Sequence, residues 1–144
     1  MGAALARRKA ALDVVMLLRR DSACEEINND HQNSRYLPGL KLPPNLRATT
    51  SADEAISGSE YAIHAVPVQA SRAFLVSIKD RLPADVPIVC VAKGIEQSTG
   101  QLLSEMIPSA LGRPQPAVFL SGPSFAKEVR RCTPYSVRMA RLPP

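Results

Sequence analysis

Short, mostly apolar runs of strand length alternate with helical stretches along this chain, and this alternation constrains the fold more than any other feature. Runs that are apolar on both faces are typical of strands covered by helices on each side. The predicted strands are Leu12–Leu18, Arg47–Thr50, Tyr61–Val66, Pro87–Ala92 and Ala117–Ser121. Strand–helix alternation with short connections predicts an α/β fold built on a doubly wound parallel sheet.

Helices are predicted between these strands from capping residues and periodicity. Ser22 and Ser51 are each followed three residues later by glutamate, which is the spacing of a capping box. Pro67 can occupy the first turn of the next helix, and Ser98 or Thr99 can cap the one after it. The predicted helices include 22–29, 69–82, 101–111 and one that starts at 125–131.

The basic charge is concentrated at the end of the chain. The 144 residues carry 18 Lys+Arg and 13 Asp+Glu, a formal charge of +5, and residues 127–144 alone contribute +4. A nucleic-acid interface needs a basic face with stacking aromatic side chains, whereas this segment contains one aromatic residue, Tyr135. We therefore predict a divergent, disordered basic tail over 132–144 and no nucleic-acid partner.

Composition excludes other classes of protein. A hydrophobic content of 45% can fill a core, which excludes a disordered chain. The longest apolar run, Pro87–Ala92, is far shorter than the roughly 20 residues of a membrane-spanning helix. Cys24, Cys90 and Cys132 are odd in number and form no C-x-x-C pair. Reduced thiols are therefore expected, with neither a disulfide framework nor a metal site.

Candidate binding residues follow the predicted strands, because ligands of such sheets bind beyond the carboxyl ends of strands. Lys93 follows a buried strand, where its ammonium can bind a phosphate or can simply reach into water. The turn Ser121–Ser124 can present free backbone N–H groups to an anion, and Ser124 can equally be a plain N-cap. His64 has the chemistry of a general base, but within a buried strand we expect a core histidine.

Two further features concern nucleotide binding. Arg19 and Arg20 follow the predicted strand Leu12–Leu18. At this position NAD-selective folds place an acidic residue that binds the ribose hydroxyls. An arginine pair there tolerates a 2′-phosphate, and two solvated arginines are the alternative. The sequence contains no G-x-G-x-x-G fingerprint. Gly2 is either the last glycine of such a fingerprint or an ordinary glycine.

Six segments, in order and at similar spacing, resemble the N-terminal domain of NAD(P)-dependent glycerol-3-phosphate dehydrogenase, and are most similar to the plant and algal type. The segments are Leu12–Asp21, Tyr36–Thr50, His64–Gln69, Ala92–Glu96, Ile107–Gly112 and Leu120–Val129. SGPSFA combined with HAVPVQ and AKG is the specific part of the pattern.

The resemblance implies an oxidoreductase with a Rossmann domain that binds NAD or NADP, followed by a helical domain. It implies hydride transfer that interconverts dihydroxyacetone phosphate and sn-glycerol 3-phosphate, within carbohydrate and glycerophospholipid metabolism. It also implies a homodimer in the full-length family, no metal, and a location in the cytoplasm or the plastid stroma.

The resemblance assigns roles to residues of this chain. Substrate binding falls on Lys93, Gly122 and Ser124. Cofactor binding falls on Gly2, Arg19, Arg20, Val66, Pro67, Lys93 and Ala126. No catalytic residue is expected here, because the family's catalytic lysine belongs to the helical domain.

The sequence departs from the family pattern in three places. The first strand with its early glycines is absent, the sequence diverges after Arg131, and the helical domain is absent. We therefore expect residues 1–131 to form a partial dinucleotide-binding domain that is inactive alone. The absent strand would be central, so Leu12–Leu18 and Tyr61–Val66 would each lose a strand partner. The alternative function is a non-catalytic remnant that associates with full-length subunits.

Overall fold

The computed structural model describes residues 2–8, 11–121 and 138–141. These residues fall into two compact units, unit 1 within 2–57 and unit 2 within 58–141. Each unit contains parallel strands and helices in alternation, so the predicted Rossmann-like α/β class is confirmed. Among the described residues, none of the helices is long and apolar enough to cross a membrane.

Unit 1 contains a two-stranded parallel sheet with three helices. Its elements are α1 (Gly2–Arg8), β1 (Val14–Leu17), α2 (Asp21–Asp30), β2 (Leu46–Thr49) and α3 (Ala52–Ile56). The register pairs Val14 with Leu46 and Leu17 with Thr49. The buried core consists of Ala6, Cys24, Ile27, Leu42, Leu46 and Ala48. Side chains from α1, α2 and β2 thus share one small apolar cluster.

The outer edge of β2 is closed by a side chain from α2. Asn28 Nδ2 donates a hydrogen bond to Ala48 O at 2.8 Å, and Ala48 N–H donates one to Asn28 Oδ1 at 2.8 Å. The amide therefore satisfies the backbone groups of Ala48 as a neighbouring strand would.

Unit 2 contains a four-stranded sheet in the order β3-β4-β5-β6. Its elements are β3 (Ala62–His64), α4 (Val68–Ile78), β4 (Ile88–Cys90), α5 (Leu103–Leu111), β5 (Ala117–Ser121) and β6 (Arg138–Arg141). The first three strands are parallel, and β6 is antiparallel to β5. The core residues are Leu75, Ile78, Leu82, Val86, Ile88, Cys90, Leu103, Met106, Ile107, Ala110 and Leu111.

The two strands that were expected to lose a partner each have one strand neighbour among the described residues. In the part of the chain that the structure describes, β1 pairs only with β2, and β3 pairs only with β4. Within the tail that was predicted to be disordered, Arg138–Arg141 form a strand. Backbone pairing along an edge strand needs no particular side chain, so the basic composition did not prevent it.

One of the three predicted caps is confirmed. Ser51 is the N-cap of α3, and its side chain accepts a hydrogen bond from Glu54 N–H at 3.3 Å. Ser22 does not cap α2, whose N-cap is Arg20 without a side-chain hydrogen bond. Neither Ser98 nor Thr99 caps α5, because the helix starts at Leu103 and its N-cap is Leu102. The predicted helix start at 125–131 lies outside the described residues.

Candidate functional site

Three parallel strands of unit 2 end at the same edge of the sheet. Val66 and Pro67 follow β3, Lys93 follows β4, and β5 ends at Ser121. The N–H groups of Val91 and Ala92 both donate to the carbonyl oxygen of His64, at 3.0 and 3.3 Å. These bonds join the segment that follows β4 to the end of β3. The unit therefore brings Val66, Pro67 and Lys93 to one sheet edge, where ligands of parallel sheets bind.

The other residues predicted to bind substrate or nicotinamide cannot be placed in this way. Gly122, Ser124 and Ala126 lie outside the described residues, so their roles stay predictions. Lys93 itself is exposed at the start of a loop. Its exposure permits contact with a dissolved anion.

The loop that carries Lys93 packs closely on the first turn of α4. Gly94 has a φ of 121°, and a Cβ added there would lie 3.1 Å from Val68 Cγ1. Both the backbone conformation and the close approach favour glycine at this position. The chain at Gly94, just after β4, therefore runs so close to α4 that a side chain at this position would be crowded.

An ion pair between half-buried Arg72 and buried Glu96 holds the same loop, and sequence reasoning missed it. Glu96 is 4% exposed, and Arg72 donates to it from Nε to Oε1 at 2.8 Å and from Nη2 to Oε2 at 2.7 Å. Arg72 also donates to Gln101 Oε1 at 2.5 Å and to Ser109 Oγ at 3.2 Å. Hydrogen bonds from Arg72 and Thr99 lower the pKa of Glu96. The Glu96 carboxylate is therefore held in its ionised form.

His64 is a core histidine, as predicted. It is 5% exposed, and its Nε2 lies 2.8 Å from Ser71 Oγ. Ser71 Oγ also lies within hydrogen-bond distance of the carbonyl oxygens of Val66 and Pro67, at 3.2 and 3.1 Å. Burial lowers the pKa of His64. The buried imidazole is therefore hydrogen-bonded to a buried hydroxyl, which is the arrangement of a structural core histidine.

Unit 1 has an open polar groove between α2 and the carboxyl end of β2. Its volume is about 390 Å³, and it is lined by Asp21, Cys24, Glu25, Asn28, Asn29, Ala48, Thr49, Thr50 and Glu54. Thr50 Oγ1 donates to Asp21 Oδ1 at 2.8 Å, and Thr49 Oγ1 donates to Glu54 Oε2 at 2.6 Å. Carboxylates and hydroxyls in such a position suit the hydroxyl groups of a ribose.

The arginine pair predicted to bind a nucleotide directly precedes Asp21, which lines this groove. Arg19 and Arg20 follow β1, both are exposed, and Arg20 is the N-cap of α2. Gly2 opens α1, where an added Cβ would meet Val14 Cγ1 at 3.4 Å, an ordinary contact. The geometry in unit 1 therefore does not require a glycine at this position.

The described residues show no cluster suited to a metal. No group of three or more His, Cys, Asp or Glu side chains that could hold a metal ion occurs among them. Cys24 and Cys90 are buried free thiols, and burial raises the pKa of both. Cys132 lies outside the described residues.

Comparison with known proteins gives a consistent result. Residues 1–142 match the sequence family described as NAD-dependent glycerol-3-phosphate dehydrogenase N-terminus, so the match continues past the predicted boundary at 131. The chain is 45% identical over 141 residues to a chloroplastic NAD(+) glycerol-3-phosphate dehydrogenase of Oryza sativa subsp. japonica, covering 97% of this chain and 32% of the relative. It is 40% identical over 137 residues to an NAD(P)+ glycerol-3-phosphate dehydrogenase of Chelativorans sp., covering 95% and 42%.

A solved structure supports the same relationship. The crystal structure of glycerol-3-phosphate dehydrogenase from Coxiella burnetii matches with a TM-score of 0.86 and 27% identity, covering 97% of this chain and 42% of that one. The chain thus spans 32% to 42% of the length of these three proteins.

Proposed function

The chain belongs to the NAD-dependent glycerol-3-phosphate dehydrogenase N-terminal family, and we propose that it is the cofactor-binding part of such an enzyme. The reaction is the interconversion of dihydroxyacetone phosphate and sn-glycerol 3-phosphate by hydride transfer with NADH or NADPH. One structural observation supports this proposal most directly. Lys93 follows the middle one of three parallel strands, at the edge where such sheets bind ligands.

In this proposal Lys93 binds the substrate. A triose phosphate carries negative charge, and an ammonium at a strand end can bind a phosphate oxygen as a point charge. Gly122 and Ser124 follow β5 in the sequence and are proposed to contact the same substrate through backbone and hydroxyl groups. When bound, the nicotinamide supplies or accepts the hydride. No proton donor is proposed within this chain, since the family's catalytic lysine belongs to the helical domain.

Cofactor binding is proposed for residues in each unit. In unit 2, Val66, Pro67 and Ala126 supply apolar contacts, and Lys93 adds positive charge. In unit 1, Arg19 and Arg20 bind the adenosine end, while Gly2 lets the cofactor, and not a side chain of unit 1, come close to the start of α1. The carboxylate of Asp21 favours the two ribose hydroxyls of NAD, whereas the arginine pair favours the 2′-phosphate of NADP.

Titration of the 144-residue chain with NADH and NADPH tests this proposal. We expect saturable changes in cofactor fluorescence and a higher melting temperature. Replacing both Arg19 and Arg20 by Gln should weaken NADPH binding more than NADH binding, by about 1.5–3 kcal/mol per lost charged hydrogen bond. Arg35→Gln, at another exposed arginine of unit 1, is the control and should change neither.

Failure to bind either cofactor would contradict the proposal. Stable co-purification with full-length subunits in that case would favour the non-catalytic alternative.

We also propose a homodimer in the full-length enzyme and a location in the cytoplasm or plastid stroma. Light scattering tests the first, and imaging of a fluorescent fusion tests the second. The chloroplastic relatives support the stroma.

A further inference from the structure

The loop between β4 and α5, residues 91–102, is held by side chains from one face of α4. Gln69 and Arg72 are three residues apart on that helix and therefore lie on the same face. Gln69 Nε2 donates to Ile95 O at 2.9 Å, and Gln97 N–H donates to Gln69 Oε1 at 3.0 Å. One side chain thus bonds the loop backbone on both sides of Glu96.

Arg72 holds the residue between these two bonds. Its guanidinium donates to both carboxylate oxygens of Glu96, a forked geometry that fixes the orientation of the pair as well as its distance. The same guanidinium reaches Gln101, near the other end of the loop, at 2.5 Å. Arg72 therefore binds two points of the loop at once.

The loop is also closed on itself around Glu96. Glu96 N–H donates to Gln101 O at 3.0 Å, and Gly100 N–H donates to Glu96 O at 2.8 Å. The Thr99 hydroxyl donates to the Glu96 carboxylate. A buried carboxylate needs such complete hydrogen bonding, and removal of its cation leaves an uncompensated buried charge. The conformation of the loop is therefore tied to the ion pair.

Lys93 is close in the sequence to this ion pair. Lys93 lies three residues before Glu96, and between them lies Gly94, where an added Cβ would be 3.1 Å from Val68 Cγ1. β4 ends at Cys90, and Lys93 therefore lies in the loop. Three residues after Lys93, the ion pair between Glu96 and Arg72 joins this loop to α4. We propose that Arg72 and Glu96 are positioning residues, which fix the ammonium of Lys93 at the sheet edge for a phosphate-bearing substrate. This inference rests on the substrate role proposed for Lys93.

The first test measures the loop directly, by amide hydrogen exchange of the 144-residue chain. Arg72→Lys keeps the charge but removes the fork, so exchange at Glu96, Gln97 and Gly100 should become faster while the Ile88–Cys90 strand stays protected. Arg47→Lys is the matched control, because Arg47 also binds a glutamate, Glu54, at 2.6 Å but lies in unit 1. An unchanged loop in Arg72→Lys would overturn the inference.

The second test asks whether Arg72 acts through Lys93. Glycerol 3-phosphate is titrated into the chain with saturating NADH, a pair that cannot exchange a hydride. Arg72→Lys should weaken glycerol 3-phosphate binding about tenfold or more. The double variant Arg72→Lys, Lys93→Met should bind glycerol 3-phosphate no more weakly than Lys93→Met alone. Arg72 is proposed to act only by positioning Lys93, so its substitution should have no effect once Lys93 is removed. Additive losses would overturn the positioning role.

The outcomes separate this inference from the proposed function. If the unaltered chain binds neither NADH nor glycerol 3-phosphate, the proposed function fails, and the positioning role fails with it. If it binds both and Arg72→Lys binds equally well, only the positioning role fails. Should Arg72→Lys not fold, Gln69→Ala replaces it. Gln69→Ala keeps the ion pair and removes the hydrogen bonds from Gln69 to the backbone of Ile95 and Gln97. Faster amide exchange of the loop and weaker glycerol 3-phosphate binding are both expected, each smaller than in Arg72→Lys.

Discussion

The two units bury polar groups to different extents. Unit 1 encloses a small apolar core and buries one uncharged polar residue of those described, Thr49, while its ion pairs among Arg47, Asp13 and Glu54 lie on the surface. Unit 2 encloses a larger core and also buries His64, Ser71 and Glu96. Surface ion pairs contribute little to stability, whereas a buried charge requires a fixed set of partners. Buried polarity in unit 2 thus occurs where a loop and a strand end must keep one geometry.

Core truncation should give the largest effect and tests whether both cores are equally well packed. Ile27 in unit 1 and Ile107 in unit 2 are both 0% exposed. Ile27→Ala and Ile107→Ala should each cost about 2–5 kcal/mol of unfolding free energy. Denaturant titration measures this cost. Val76→Ala, at a position 47% exposed, should change stability by less than about 0.5 kcal/mol. A much smaller loss for Ile27→Ala would show that the smaller core is loosely packed.

Removal of the Asn28 amide tests the polar closure in unit 1. Asn28→Ala leaves the N–H and C=O of Ala48 without these partners and should cost about 1–3 kcal/mol. Chemical denaturation provides the measurement, with its exposed neighbour Asn29→Ala as the control. Equal effects of the two variants would contradict the role assigned to Asn28.

Acid should weaken unit 2 through His64. Burial lowers the pKa of His64 below 6.5, so the folded state binds the proton less readily than the unfolded state does. Stability is therefore unaffected well above pH 6.5 and falls as the pH drops below that value, until the folded-state pKa is reached. Amide exchange of unit 2 from pH 7.5 to about 5 follows this loss. His64→Gln should remove the decline in that range, and its persistence would assign the decline to another group.

Glu96 should add a second loss at lower pH. Hydrogen bonds from Arg72 and Thr99 lower its pKa below 4.5, so the stabilisation is present above pH 4.5 and is lost as the pH falls through the folded-state value. The melting temperature of Glu96→Gln should be lower at neutral pH and should depend less on acid. A parallel acid dependence in both proteins would contradict this assignment.

The surface pair in unit 1 should give the smallest effect. Arg47 and Glu54 are 43% and 53% exposed, and Arg47→Lys should change stability by about 0–1 kcal/mol. Thermal melts at low and high salt provide the measurement. A larger, salt-insensitive loss would show that unit 1 also depends on a specific ion pair and would remove the contrast with unit 2.

Strand positions were predictable, because apolar runs of strand length have few alternatives between helices. Ala117–Ser121 was predicted to the residue, and Ile88–Cys90 lies within the predicted run. Helix starts were less predictable, since a hydroxyl can choose another partner. Thr99 donates to Glu96 and leaves the N-terminus of α5 to Glu105, whose Oε2 accepts from Leu102 N–H at 3.2 Å.

Contacts between distant residues could not be predicted from one sequence. Arg72 and Glu96 are 24 residues apart, and Asn28 and Ala48 are 20 apart. No local pattern distinguishes these side chains from solvated ones. The sheet edge that gathers Val66, Pro67 and Lys93 was predictable, because parallel neighbours end together. The interaction that fixes the loop beyond Lys93 was not.

The Asn28 amide has a consequence for growth of the sheet in unit 1. An asparagine side chain imitates one peptide group, so it terminates the ladder at Ala48 much as a cap terminates a helix. An incoming chain would have to displace both bonds before it could pair there. Another strand would therefore pair more readily with β1 than with β2, and an engineered extension of this sheet should be added at the β1 edge.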